Sequence, residues 1–205
     1  MTFGLNLITA PACEPLTLTD AKDHLRVTYS DEDLLIESLI TAARIEFEAL
    51  TYRQLITATY DLVLDGFPRN DLPIRIPRAP LQSVTSITYT DPAGDAQTLD
   101  SANYIVSATR LPGIIRPAYG CTWPTARTEP DAVTVRFLAG HGEDPDDVES
   151  LAKAAIRLLI GQYYEFREEV IDRSVYQLPK GAARIIQLYD LGDELLEYGA
   201  VGTLV

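Results

Sequence analysis

Glu165, Glu168 and Glu169 stand with Arg167 and the adjacent Tyr163 and Tyr164 in one short stretch, GQYYEFREEV, residues 161–170. Three readings fit such a density: acid/base chemistry, a contact face for another protein, or the wet end of a helix. Acid/base work needs groups that converge on one substrate within hydrogen-bond reach. Glu168 and Glu169 are sequence neighbours and point to different sides of a helix, so they make a poor pair. Glu165 and Glu169 share a face, but at a helix C-terminal end, where the dipole disfavours acids. Either a partner's Lys or Arg compensates them or bulk water does.

The remaining chemistry-bearing residues are sparse. Of the two histidines, His24 lies on an expected helix with no second ligand at the i+4 spacing of a zinc helix, which reads as a structural or surface role. His141 lies in Gly140-His141-Gly142, which begins like a glycine-rich nucleotide loop, but Pro145 occupies the third glycine position. The acids that follow would repel a phosphate, so a tight turn is the better reading. There is no G-x-S-x-G elbow, Walker loop or Cys/His cluster. The sequence therefore names no catalytic, cofactor-binding or metal-ligating residue, and no cofactor is expected.

Composition narrows the partners. The 205 residues carry 17 Lys+Arg against 30 Asp+Glu, a formal net charge of -13. Gripping a nucleic-acid backbone relies on clustered Lys and Arg that release counterions, so ordinary DNA or RNA binding is disfavoured. The same sign suits a surface that lies near DNA without holding it. Cys13 and Cys121 form no CxxC pair and read as two reduced thiols. No apolar run approaches the roughly 20 residues a membrane span needs, and the proline-marked start has no basic n-region, so a soluble protein of a reducing compartment is expected.

The elements that must position these residues follow from period and punctuation. LTLTDAKDHLRV, with Thr17 and Asp20 arranged as a capping box, predicts a helix over about 18–27. Ser30 then caps a helix to about residue 51, with Ile36, Leu39, Ile40, Ala43, Phe47 and Leu50 as its apolar stripe. From Ala58 to Asp65 the pattern changes to strand alternation. VTSITYT followed by Asp91-Pro92-Ala93-Gly94 predicts a hairpin on a type I turn, and further strands are expected near 104–107, 114–116 and 133–138. A third helix is expected from Asp144 and Pro145 through GQYYEFREEV, apolar over so wide an arc that more than one neighbour must cover it. Glu149, Lys153 and Arg157 would form its wet edge, and a fourth helix starts at Pro179.

This order gives an α+β fold: a small helical bundle with an inserted, mostly antiparallel β unit. The chain reads as one domain, 1–205, with a helical core from 16–55 and 144–190, a β insertion over 56–140 and a C-terminal tail over 191–205. The first two helices cannot bury their stripes without the later ones, which argues against two independent domains. The tail, LGDELLEYGAVGTLV, ends in apolar residues with no obvious intrachain partner.

Taken together, APACEPLTLTDAKDHLRV, SDEDLLIESLITAARIEFEALTYRQL, IRIPRAPLQSVTSITYTDPAG and VTVRFLAGHGEDPDDVESLAKAAIRLLIGQYYEFREE resemble the head-tail connector, or adaptor, proteins of long-tailed phages and gene transfer agents. The similarity covers about residues 10–190 and rests on order and spacing, above all on the LTLxDAKxHLRV opening and the YYEFRE helix end. It implies a structural, non-enzymatic virion protein at the portal vertex or neck, present in host cytoplasm during assembly. It also implies a homo-oligomeric ring, dodecameric in the family, lying below the portal protein. Such a ring extends the DNA conduit, without sequence-specific binding, and docks a stopper or tail-completion protein; no membrane partner is implied. The family's minimal members are nearly all helical, so the β unit places this chain with longer relatives.

On this reading Tyr163 and Phe166 anchor the end of the third helix, while Tyr164, Glu165, Arg167 and Glu168 are offered to neighbours. The tail residues Leu195, Leu196, Tyr198 and Leu204 would reach the portal or an adjacent subunit. The competing classes are a non-viral binding or assembly-chaperone module and an enzyme with a carboxylate site near Glu165.

Overall fold

The computed structural model describes residues 3–166, 178–192 and 195. In chain order the elements are β1 (Phe3–Thr9), α1 (Leu18–Leu25), α2 (Asp33–Thr51), β2 (Ala58–Leu64), β3 (Ile74–Arg75), β4 (Leu81–Thr90), β5 (Ala96–Thr98), β6 (Tyr104–Ser107), β7 (Ile114–Pro117), β8 (Val133–Ala139), α3 (Ser150–Glu165) and α4 (Lys180–Tyr189). The strands form a five-stranded sheet, β1-β2-β8-β4-β5, and a three-stranded sheet, β3-β7-β6. Every pairing of named strands is antiparallel. The expected α+β class and the antiparallel middle of the chain are both present. Among the described residues no helix is long and apolar enough to cross a membrane.

Two cores divide the molecule. Ile36, Ile40, Ala43 and Phe47 of α2 bury against Ala152, Ala155, Ile156, Leu159 and Ile160 of α3, with Ala182, Ile186 and Tyr189 of α4 closing the side. Each fully buried Ile, Leu or Phe contributes about 1.5–3 kcal/mol, so the arc on α3 is the main adhesive of the bundle. Tyr60, Leu62, Leu64, Ile87, Val133, Val135 and Phe137 fill the second core, with the Tyr60 and Phe137 rings stacked at 5.7 Å.

Several boundaries differ from those expected. Residues Phe3–Thr9, for which no element is expected above, form β1, so the sheet takes its edge strand from outside 56–140. Phe3, Leu5 and Leu7 do alternate with Gly4 and Asn6, but the partner, β2, lies some fifty residues on, and nothing local announces the pairing. The α1 capping box is present, with Asp20 N–H donating to Thr17 Oγ1 at 3.1 Å. Ser30 does not cap α2, which begins after Glu32 without a side-chain cap.

The third helix does not start at Pro145. Asp147 accepts from Asp144 N–H at 3.1 Å and closes a separate 3-10 turn, Pro145–Asp147, and buried Val148 is extended before α3 restarts at Ser150. Nor do Glu149, Lys153 and Arg157 pair with one another. Lys153 reaches Asp146 at 3.8 Å, Arg157 reaches Asp20 of α1 at 3.9 Å, and Glu149 accepts from Tyr189. Charged side chains on this edge tie α3 to its surroundings instead of lining a ladder.

The Gly140-His141-Gly142 turn has a structural cause. Gly140 has φ +141°, and a Cβ there would stand 2.6 Å from the Thr57 backbone. Gly140 N–H donates to Pro80 O, and His141 N–H to Leu55 O. Gly140→Ala is expected to cost about 1–3 kcal/mol through backbone strain, read as a lowered urea midpoint.

Candidate functional site

The end of α3 brings the adjacent Tyr163 and Tyr164 onto carboxylates of α2 and the turn before it. Tyr163 donates its hydroxyl to Glu46, and Tyr164 donates to Glu32, with Tyr29 OH 3.2 Å from Tyr164 OH and 3.0 Å from Glu32 Oε2. Burial, followed by the Glu46 carboxylate, pushes the Tyr163 phenol well above its ordinary range. For Tyr164 the Glu32 hydrogen bond leads and Tyr29 follows, in the same direction. Both phenols therefore stay protonated and act as donors holding helices together. This is not an acid/base pair.

Glu165 is exposed and shares the helix end with Phe166. Phe166 is 49% exposed, so it does not anchor the segment to the core as expected; Tyr163 does so together with Tyr164, because α3 ends at Glu165 and Phe166 caps it in a non-helical conformation. Tyr164 is partly buried against its own chain. Leu195 is 1% exposed, so the expected lack of an intrachain partner for the tail does not hold at that residue. Arg167, Glu168, Leu196, Tyr198 and Leu204 lie outside the described residues.

The histidines stay apart from this cluster. His24 Nε2 lies 3.6 Å from where a Cβ on Gly161 would stand, which places it against α3. His141 is partly buried, and burial, with Arg53 as a lesser cause, lowers its pKa, so at neutral pH it is uncharged. Among the described residues no three His, Cys, Asp or Glu side chains gather as metal ligands. Cys13 and Cys121 are free thiols, and burial pushes Cys13 up, away from reactive thiolate.

The densest polar arrangement is one the sequence reading missed. Glu48, 5% exposed on α2, accepts from Arg44 Nη1 at 2.9 Å, Gln54 Nε2 at 2.9 Å and Leu55 N–H at 3.0 Å. Buried Gln54 in turn accepts from Tyr60 OH of β2 at 2.6 Å. Arg78, just before β4, donates to the carbonyl of Glu48 at 2.6 Å, and Arg44 also grips Glu14 through Nε at 2.7 Å and Nη2 at 3.2 Å. This chain of bonds runs from the segment before α1, through α2, to the five-stranded sheet. Burial pushes the Glu48 carboxyl up, and Arg44, the Leu55 N–H and Arg78 pull part of it back. Leu50, assigned to the apolar stripe, is 39% exposed, while Glu48 faces inward. A buried glutamate beside Phe47 carried no sequence signal beyond the arginine four residues earlier. The arrangement offers no open substrate site; it fixes the bundle and the sheet in one orientation.

Residues 15–109 match the model of the Phage gp6-like head-tail connector protein family. The likeness is to head-tail connectors. It extends to the whole fold: a chain in the neck of an empty gene transfer agent particle, computed with C6 symmetry, is 25% identical, with TM-score 0.76, over 98% of this chain and 97% of that one. A chain of the native gene transfer agent virion gives the same values, and one in the native neck, computed with C12 symmetry, gives TM-score 0.75 at the same identity and coverage. No curated protein matches. The connector resemblance read from the sequence stands, and with it a structural connector role.

Proposed function

We propose that this connector is a non-enzymatic subunit of a virion neck, assembling as a closed ring below a portal, extending the DNA conduit and docking a stopper or tail component. One observation carries the reading: the likeness to neck chains spans 98% of the connector, both cores included. Their symmetry supports a ring, with twelve subunits the expected number; a heterologous contact repeated around an axis closes only if each subunit holds its shape. The joint at Glu48 supplies that rigidity. A net charge of -13 suits a conduit whose wall lets DNA slide without retaining it.

Within this reading exposed Glu165 and Phe166, with Tyr164 behind them, face a neighbour in the ring or the next ring in the neck. Residues Arg167 and Glu168, next in the chain, and the tail residues Leu196, Tyr198 and Leu204 are proposed to continue that contact. The test is to mix the purified connector with its portal and image the product by electron microscopy. A ring on the portal, its subunits repeating around the axis, is the expected result. Connector that stays monomeric beside intact portal overturns the reading.

A further inference from the structure

The five-stranded sheet manages its two edges differently. At one end β5 is three residues long and fully exposed, with Asp95 before it, and β4 behind it is interrupted by register shifts between Leu81 and Ser83 and between Val84 and Ser86. Short, kinked and acid-flanked edges of this kind resist pairing with another chain. At the other end β1 is seven residues long, and Phe3 to Leu7 pair with β2 in unbroken register. Its outer side has no strand partner among the described residues. It contains no proline and no charge, and residues 1–13 carry no Asp, Glu, Lys or Arg in a chain of net charge -13. Leu7 is 51% exposed and Ile8 47%. A register shift between Leu7 and Thr9 breaks the far end of this edge, but over Phe3 to Leu7 it is a pairing template without the proline or charge that usually protects one.

We propose that the outer edge of β1 takes, as a sixth strand, the last residues of a neighbouring copy of this chain, Gly199–Val205. This rests on the ring reading above. The segment GAVGTLV is uncharged and carries β-branched Val201, Thr203 and Val205 in alternation. Its seven residues equal the length of β1. Copies that repel one another by net charge meet at least cost where both surfaces are uncharged, as these two are. From Leu195 the chain reaches Gly199 within about 14 Å, so the neighbour's β1 must lie inside that radius.

The experiment places a photo-crosslinking side chain on the exposed edge, Leu7→p-benzoylphenylalanine, in full-length connector prepared as an equal mixture of isotopically light and heavy chains and assembled with its portal. Crosslinks from position 7 to residues 199–205 are expected, with mixed-isotope pairs as frequent as same-isotope pairs. Crosslinks only within same-isotope pairs would place the chain's own tail there. Crosslinks to the portal or to another segment, or none, in particles whose ring is seen by microscopy, overturn the proposal and leave the ring reading intact. Absence of the ring overturns both. In a second arm, Leu7→Lys with Ile8→Lys is expected to raise the concentration needed for ring assembly at least tenfold while the monomer's melting temperature stays unchanged; unaltered assembly counts against the proposal.

Discussion

Glu48→Ala is expected to lower the connector's stability by about 3–5 kcal/mol, the loss that follows when one partner of a buried, hydrogen-bonded ion pair is removed. Arg44 Nη1 and Leu55 N–H lose their acceptor at once, and Gln54 Nε2 loses one of two, keeping the Ile56 carbonyl at 3.0 Å. Arg44 keeps Glu14, but its side chain is only 11% exposed, and water cannot replace the missing carboxylate fully. Gln54 is fully buried and would be held only by Ile56 O and the Tyr60 hydroxyl, which loosens the sheet from the bundle. Glu48→Gln retains an acceptor for Leu55 N–H and is expected to cost less, about 1–3 kcal/mol for the donors left unsatisfied. Equilibrium urea unfolding of the two variants checks the order, and equal losses would mean the charge is irrelevant. Since the joint fixes the orientation of the two parts of the subunit, Glu48→Ala is also expected, on the ring reading proposed above, to reduce ring assembly at temperatures where the monomer remains folded.

The pH dependence has a definite sign. Burial raises the folded-state pKa of Glu48 above its ordinary value of 4.5, so the folded protein holds this proton more tightly than the unfolded chain does. Linkage then makes the stabilising contribution of its titration complete below 4.5 and lost as pH rises through the raised folded value. The stability gap between wild type and Glu48→Ala should therefore be wider near pH 5 than at pH 8. A gap that narrows on acidification would mean the carboxyl is instead held low by Arg44.

The sequence made many of the connector's elements readable where the cause was local, although Ser30 and Pro145, equally local signals, do not start α2 and α3. Thr17 and Asp20 are three residues apart, and the capping box they predict is present. Asp91 to Gly94 turn the chain as expected, with Asp91 accepting from the N–H groups of Ala93 and Asp95. What stayed hidden depends on partners distant in sequence. β1 needs β2, and the tyrosine pair of α3 needs Glu46 and Glu32, more than a hundred residues earlier. The same limit explains the site. Charge density in GQYYEFREEV was visible, yet its tyrosines turn out to be occupied, while the joint at Glu48 hid inside an apolar stripe, where a glutamate reads as a solvated residue until its donors are placed around it.

Phe47→Ala is expected to cost about 3–5 kcal/mol, the range for emptying a fully buried aromatic site. Phe47 is 0% exposed and packs edge-on to Tyr189 with ring centroids 5.6 Å apart and planes at 64°. It is one contact through which α2 holds the end of α4. Tyr189 has other restraints: its hydroxyl donates to Glu149, Arg53 Nε donates to its carbonyl at 2.8 Å, and the Arg53 guanidinium lies 5.0 Å above its ring. Burial and then Glu149 push its phenol up to about 12, so the hydroxyl remains a donor at any pH of use. These polar restraints lie at the edge of the bundle, where a net hydrogen bond is worth about 1 kcal/mol, and they cannot compensate a cavity beneath the ring. Tyr189→Phe, which keeps the ring and deletes the hydroxyl, should accordingly lose only about 1 kcal/mol. In Phe47→Ala amide exchange should accelerate first in α4, ahead of α2 and α3, because α4 closes one side of the helical core while α3 is held from several directions. Uniform acceleration across the three helices would show that the bundle opens as one unit.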